Sequence, residues 1–302
     1  MGLTENQKNM IRCLANKDIK NTREWAKVVL MDDSTQKNKS FVDRYLPILT
    51  NPTGYATEDI PLDLRGILQY EDVSETFIEN RYYVTETQKA LAEKILQMEK
   101  VSQRLEKLQV PYKNATLLYG PPGTGKTMFG KYIAYKSKLP FFYLNFSRLI
   151  DSYMGATSKN IAKTFDFVSI EPCVFMLDEV DAISCNRKNG SGSGTDGEIG
   201  RITITLMQEF DELPNNIIVL AATNRLDILD EAFISRFSIK RKIEPFTEEE
   251  NRIMVQLFLD DIGYTFTENE IEKIITNTNE QRAIMSRVVQ VLAGKIVEEQ
   301  ET

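Results

Sequence analysis

The sequence predicts an α/β fold, in which a parallel sheet is flanked by helices and followed by a small helical domain. Three observations support this prediction. Apolar stretches and helical patterns alternate along the middle of the chain, a glycine-rich loop joins the first stretch to the first helix, and the pattern becomes wholly helical after Pro245. We expect a small helical N-terminal segment at 1–75, the α/β domain at 76–245 and the helical domain at 246–302.

Length and composition are typical of a soluble globular protein. The 302 residues are enough for about two domains. The net charge of -7 gives no support for bulk binding of nucleic acid, although a local basic patch remains compatible with it. Histidine is absent, which excludes histidine-based triads and histidine metal sites. Three cysteines without metal-ligand spacing, no signal pattern and no apolar run of membrane-spanning length lead us to expect a cytoplasmic protein.

The first hundred residues show helical patterns and no catalytic signature. Thr4–Gln7 has the pattern of a capping box, Thr22 is placed to cap a second helix, and apolar residues in Phe41–Leu49 could mark a third. These apolar residues fit a small core, and they fit equally a surface that recruits a partner or a substrate. Thr85–Gln88 then starts a long helical stretch to about Leu108, which favours packing on the following domain over a coiled coil.

Four apolar segments and a shorter, more polar fifth predict the strands of the sheet, and the loop after the first of them carries chemistry. The predicted strands are 115–119, 141–146, 173–178, 217–224 and 239–244. The loop matches the phosphate-binding pattern G-x-x-x-x-G-K-[ST], and a helix start after it directs bare N–H groups at an anion. We expect nucleotide phosphates to contact Gly120, Pro121, Pro122, Gly123, Thr124, Gly125, Lys126, Thr127 and Met128.

Within this loop the residue types have separate roles. Lys126 can reach the β- and γ-phosphates, and the hydroxyl of Thr127 can bind Mg²⁺. A glycine-proline turn with an incidental lysine is the alternative, and the strand before the loop and the helix after it argue against this alternative.

Polar side chains follow the third and fourth predicted strands. Asp178 and Glu179 lie at the carboxyl end of the third, where such sheets bind ligands. We expect Asp178 to hold Mg²⁺ through water and Glu179 to polarise the water that attacks the γ-phosphate. Asn224 ends the fourth strand and could orient that water or contact the γ-phosphate; a turn-forming asparagine is the alternative.

Four segments in this order resemble those of the AAA ATPases. Gly120–Thr127, Leu177–Ile183 and Ala222–Arg225 are similar to the Walker A, Walker B and sensor-1 segments, and Leu229–Phe237 resembles the start of the family's second region of homology. The resemblance covers roughly residues 76–302. It implies a P-loop NTPase with a five-stranded parallel sheet of order 5-1-4-3-2, a helical lid domain, and ATP and Mg²⁺ as cofactors. It also implies a homo-oligomeric ring, usually a hexamer, with ATP between subunits.

Three further residues or segments receive roles from the resemblance. Arg236 resembles the arginine finger that enters the neighbouring subunit's site, with the spacing of the spastin- and katanin-like branch and with Ser235 where many members have a first arginine. Tyr153, Met154 and Gly155 resemble the loop that lines the ring's pore, a buried tyrosine being the alternative. Arg282, in the lid, is a candidate for sensing phosphate or a solvated arginine on a helix face.

The function implied by the resemblance is ATP hydrolysis coupled to remodelling or threading of a protein substrate through a central pore. The alternative is an ATP-dependent loader or switch that acts on nucleic acid or on a partner machine. A third possibility is a ring that feeds a protease on a separate chain, since the pattern H-E-x-x-H is absent here. The expected partners are other copies of the chain and a polypeptide; nucleic acid is disfavoured but stays open.

Overall fold

A computed structural model describes residues 3–15, 19–33, 35, 37–50, 60–110, 112–152, 156–183 and 194–300 of the chain. Its first three helices are α1 (Glu5–Ala15), α2 (Ile19–Met31) and α3 (Lys39–Thr50), and each packs on the next. Large apolar side chains on them, such as Ile11, Leu14 and Phe41, remain exposed. No helix in the described ranges is both long and apolar enough for a membrane span.

The sheet contains six strands in the order β1-β3-β4-β5-β2-β6. The strands are β1 (Leu68–Glu71), β2 (Asn114–Tyr119), β3 (Phe141–Asn145), β4 (Val174–Asp178), β5 (Ile218–Thr223) and β6 (Ile239–Lys242). The pairs among β2 to β6 are all parallel, and these five strands have the predicted order 5-1-4-3-2 when they are counted from β2. The parallel part of the prediction is therefore confirmed.

The sixth strand is a correction to the predicted five-stranded sheet. β1 pairs antiparallel with β3 at the edge, with Leu68 opposite Leu144 and Glu71 opposite Phe141. The residues just before it are also part of the large core, because Ile60 and Leu64 are each only 1% exposed and lie in the same cluster as Leu144. The sequence pattern grouped residues 60–75 with the N-terminal helices, whereas in the structure this stretch completes the sheet.

Helices cover both faces of the sheet because neighbouring side chains of a strand point to opposite sides. The helices between strands are α4 (Val73–Thr76), α5 (Glu86–Lys107), α6 (Lys126–Ser137), α7 (Phe146–Ser152), α8 (Thr157–Val168), α9 (Gly194–Glu212) and α10 (Glu231–Ser235). On β3, Phe142 belongs to a cluster with residues of α8 and α9, whereas Phe141 belongs to a cluster with residues of α5 and α6. Because β2 to β6 run parallel, their carboxyl ends lie at one edge of the sheet.

Three helices after the sheet form the lid, namely α11 (Glu248–Ile262), α12 (Glu268–Ile275) and α13 (Gln281–Gln300). They have a separate core that includes Val255, Leu259, Ile284 and Val288. Capping boxes are present at the starts of α11 and α12, where Thr247 and Thr267 accept hydrogen bonds from backbone N–H groups. These three helices therefore share a core, and the domain boundary expected after Pro245 stays a prediction.

Candidate active site

The phosphate-binding loop has the backbone that its glycines permit. Gly120, Gly123 and Gly125 all have positive φ, at 146°, 73° and 82°. At Gly120 the requirement is also steric, since a Cβ there would lie 2.3 Å from the carbonyl oxygen of Ile243. The loop closes on itself through Thr124, which is buried and whose Oγ1 donates to the Pro121 carbonyl at 2.9 Å. The exposed Pro121, Pro122 and Met128 lie around this turn and the first turn of α6.

Lys126 begins α6 and is 7% exposed. Its Nζ donates to the carbonyl oxygens of Gly120 at 2.9 Å and Pro121 at 2.7 Å, and to Oδ1 of Asn224 at 2.8 Å. An ammonium group has three N–H donors, so each of them has an acceptor in the protein. Burial lowers the pKa of Lys126, and the nearby carboxylate of Asp178 opposes this change. The structure thus brings two predicted site residues, Lys126 and Asn224, into direct contact.

The two predicted magnesium ligands also meet. Oγ1 of Thr127 donates to Oδ2 of Asp178 at 2.8 Å, which joins the phosphate loop to the end of β4. A hydroxyl and a carboxylate are oxygen ligands of the kind that Mg²⁺ prefers, and this ion usually takes one or two protein groups together with water and substrate phosphates. In the described ranges no cluster of three acidic, cysteine or histidine side chains could hold a metal. These residues therefore fit magnesium bound together with a nucleotide.

Glu179 lies between β4 and a short 3₁₀ turn at Val180–Ile183. Its φ is +55°, in the left-handed region that costs a residue with a Cβ roughly 1–2 kcal/mol. The backbone N–H of Glu179 donates to Oδ1 of Asp178 at 2.9 Å, which helps to hold the turn. Strained backbone of this kind concentrates at functional sites, and it here places the predicted general base next to the predicted magnesium ligand.

Two polar residues that the sequence does not single out also belong to this site. Tyr143, on β3, donates its hydroxyl to Oδ2 of Asp178 at 3.2 Å. Asp181 accepts a hydrogen bond at 2.8 Å from Thr223, the residue before Asn224. Asp181 could have been found from its position two residues after Glu179, whereas only the pairing of β3 with β4 reveals Tyr143.

Arg236 lies at the end of α10. Two residues later, Ser238 donates its hydroxyl to the Ala115 carbonyl near the start of β2, which is the end of that strand opposite the phosphate loop. The Nε and Nη2 of Arg236 donate to the two carboxylate oxygens of Asp211 at 2.9 and 2.8 Å, and its Nη1 donates to the Ala232 carbonyl at 2.7 Å. All these partners lie at the ends of α9 and α10. This geometry shows an ordered arginine head group on the protein surface.

The remaining predicted residues lie in the lid or outside the described ranges. The exposed Arg282 follows Gln281, whose Oε1 would lie 2.7 Å from a Cβ built on Gly125. The start of α13 therefore touches the phosphate loop. The predicted pore-loop residues Tyr153, Met154 and Gly155 lie outside the described residues, directly after α7.

A cleft of about 520 Å³ opens beside the loop and the end of β5. It is lined by Gly120, Pro121 and Asn224 of the predicted site, together with Asp227 and Lys242. A phosphate loop between a parallel strand and a helix, with a lysine, a threonine–aspartate pair and a flanking glutamate, defines the class of P-loop nucleotide-binding proteins. The particular family follows from comparison with known proteins.

Residues 116–245 match the family model of the ATPase family associated with various cellular activities (AAA). The chain therefore contains an AAA domain, as its motifs predict. A curated relative, the 26S proteasome regulatory subunit 8 homolog of Schizosaccharomyces pombe, is 30% identical over 230 residues, which are 75% of this chain and 53% of the relative. The 26S proteasome regulatory subunit 8 homolog B of Arabidopsis thaliana is 39% identical over 152 residues, 49% of this chain and 36% of the relative.

A solved structure shares the fold. The AAA domain of FIGL-1, crystallised in complex with ADP, aligns with a TM-score of 0.55 and 27% identity over 70% of each chain. The chain spans about half or less of the length of the two curated relatives described above. The comparisons thus identify an AAA domain and its fold.

Proposed function

We propose that this chain is a magnesium-dependent ATPase that converts ATP and water into ADP and phosphate. The observation that carries the proposal is the hydrogen bond between Thr127 and Asp178, which are 51 residues apart in the sequence. It unites the phosphate loop with the pair of acids at the end of β4. The AAA domain of this chain and the ADP complex of the FIGL-1 domain support the same conclusion.

Each residue of the site has a role in this reaction. Lys126 exchanges its bonds to the loop carbonyls for bonds to the β- and γ-phosphates, where its positive charge stabilises the transferred group. Thr127 and Asp178 would hold Mg²⁺, which supplies neutralisation of the phosphate charge. Glu179 accepts a proton from the attacking water, and Asn224 orients that water beside the γ-phosphate. Arg282 is the remaining candidate for contact with the nucleotide, since it lies at the end of the lid that touches the loop.

We further propose that the chain acts as a homo-oligomeric ring, a hexamer by family resemblance, on a polypeptide. The curated relatives bear the name of proteasome regulatory subunits, which supports a protein substrate over nucleic acid. In this proposal Arg236 completes the site of a neighbouring subunit, and Tyr153, Met154 and Gly155 grip the substrate in the pore by contacts that tolerate many sequences. A cytoplasmic location is part of the same proposal.

The substitution Glu179→Gln tests the chemistry. It keeps the size of the side chain and removes the base, so we expect nucleotide affinity close to that of the unchanged protein and turnover lower by about 10²- to 10⁴-fold. Fluorescent-nucleotide titration and phosphate release measure the two quantities. The exposed Glu249→Gln, in the first turn of α11, is the matched control and should leave both unchanged. Unchanged turnover in Glu179→Gln would remove Glu179 as the base.

A further inference from the structure

A hydrogen-bonded pair on β3 lies behind the magnesium ligand Asp178. We propose that Tyr143 is a positioning residue that orients the carboxylate of Asp178 toward magnesium, and that Asn145 in turn orients the hydroxyl of Tyr143. The inference rests on the proposed ATPase function, because it concerns the metal of that same site. Neither residue belongs to the phosphate loop or to the acidic motif, and both act from the neighbouring strand.

The strand register explains why these two side chains reach the site. Asn145 is the partner of Asp178 in the pairing of β3 with β4, and Tyr143 is the partner of Met176. Residues two apart on a strand share a face of the sheet, so Tyr143 and Asn145 lie on the same side as Asp178. This is the side that α6 covers, because Met176 belongs to the cluster that contains Phe129 of that helix.

The donors around Asp178 leave one defined place for a further contact. Oδ2 accepts from Thr127 at 2.8 Å and from Tyr143 at 3.2 Å, and Oδ1 accepts from the backbone of Glu179 at 2.9 Å. A carboxylate offers about four acceptor positions, two on each oxygen. Among the residues that the structure describes, three donors fill both positions of Oδ2 and one of Oδ1. The position that these donors leave on Oδ1 is available to a water molecule of the magnesium shell.

Asn145 fixes the direction in which the tyrosine donates. Its Nδ2 donates to the Tyr143 hydroxyl oxygen at 3.2 Å, so the hydroxyl hydrogen is left free to point at Asp178. Its Oδ1 accepts from the backbone N–H of Arg148 at 3.0 Å, which caps the start of α7. Asn145 is 8% exposed and is thus held from both ends. The relay runs from the backbone of α7 through Asn145 and Tyr143 to Asp178.

A purely structural role for Tyr143 would rest on its ring, which packs at the margin of the cluster under α6. Tyr143→Phe separates the two roles because it keeps the ring and removes only the hydroxyl. In this variant Oδ2 of Asp178 would keep Thr127 as its side-chain donor, and the carboxylate could turn more freely. Partners behind metal ligands change metal affinity by about 10- to 100-fold when they are removed, and the 3.2 Å contact favours the lower end.

The experiment titrates Mg²⁺ against the binding of a fluorescent ATP analogue to the full chain. We expect Tyr143→Phe to raise the half-saturating Mg²⁺ concentration by about tenfold, with unchanged nucleotide affinity in EDTA and an unchanged melting temperature. Tyr135→Phe removes a hydroxyl from another partly buried tyrosine of the same cluster and should not shift the Mg²⁺ curve. The same Mg²⁺ curve for Tyr143→Phe and the unchanged protein would overturn the inference, as would an equal loss of affinity in EDTA.

A second variant tests the part of Asn145 in this relay, and it does so even if Tyr143→Phe fails to fold. Asn145→Ser can still cap α7 but lacks the amide that reaches Tyr143, so we expect a smaller shift of the Mg²⁺ curve in the same direction. Because Asn145 acts through Tyr143, the double variant should shift the curve no further than Tyr143→Phe alone. Additive shifts would overturn the relay.

The same titration also separates failure of this inference from failure of the proposed function. If the unchanged protein shows no Mg²⁺-dependent nucleotide binding at all, the proposed function itself fails, whatever the variants show.

Discussion

Arg236 offers the sharpest test of whether the site is shared between subunits. The substitution Arg236→Ala removes a head group that is held by Asp211 and Ala232, at the ends of α9 and α10. If Arg236 acts only within its own subunit, its loss removes a surface ion pair. If it acts in a neighbouring site, its loss removes a positive charge from the transferred phosphoryl group. The two roles predict effects of very different size.

The magnitudes follow from the exposure of the pair. The side chains of Arg236 and Asp211 are 26% and 53% exposed, and such partly solvated pairs contribute about 1 kcal/mol or less. An arginine supplied from a neighbour contributes about 10³- to 10⁵-fold in rate, or roughly 4–7 kcal/mol of transition-state stabilisation. Release from Asp211 is therefore a small cost beside that gain. We expect Arg236→Ala to lower turnover by at least about 10³-fold, and the control Asp211→Asn to change it by less than about tenfold.

The assay combines two variants that are each inactive alone. A subunit with Arg236→Ala retains Glu179, and a subunit with Glu179→Gln retains Arg236. An interface contains both groups when the first subunit binds the nucleotide and the second is the neighbour that supplies the arginine. With equal amounts and random assembly, about a quarter of the interfaces in a head-to-tail ring are complete in this way. Phosphate release should thus recover to about a quarter of that of the unchanged protein. A mixture that stays inactive while its subunits still assemble would refute the shared site, and Arg236→Ala with near-normal turnover would refute any catalytic part for this residue.

Two further predictions concern the loop and the pore. Gly120→Ala forces a Cβ to within 2.3 Å of the Ile243 carbonyl at a φ of 146°, so we expect a loss of about 1–3 kcal/mol in unfolding free energy and weaker nucleotide binding. Gly200→Ala, which meets no atom within 4 Å, is its control, and equal melting temperatures for the two would contradict this reasoning. Tyr153→Ala should keep ATP turnover and lose unfolding of a folded fluorescent substrate. Unfolding at the normal rate in that variant would show that Tyr153 does not grip the substrate.

Much of the fold could be predicted because the informative signals are local. Four of the five parallel strands are apolar runs bounded by turn residues, and β6 is short and more polar. The order of the strands came from the family resemblance rather than from periodicity. β1 escaped prediction for a physical reason, since only Leu68 among its four residues is fully buried and its partner strand lies about seventy positions away. A short edge strand of this kind is defined by its pairing and leaves almost no pattern in the sequence.

The candidate site likewise contains features that the sequence reveals and features that only the structure reveals. The phosphate loop and the acid pair are contiguous motifs, so the chain itself shows them. The contact of Lys126 with Asn224 and that of Tyr143 with Asp178 join residues of different strands, and they depend on the register of the sheet. The left-handed backbone of Glu179 could not be read from the sequence either, since glutamate has no preference for that conformation.

The bonds of Lys126 have a consequence for how the site responds to nucleotide. Each of its three donors already has an acceptor, so a phosphate can bind the ammonium only in exchange for existing bonds. The acceptor at 2.8 Å is Asn224, and the residue before it is tied to Asp181 through the Thr223 hydroxyl. In the proposed reaction Lys126 would turn to the phosphates, and the amide of Asn224 would lose this partner and be free to meet the attacking water or the γ-phosphate. The exchange that binds the nucleotide would therefore release the residue proposed to orient the water, which would link the phosphate loop to the end of β5.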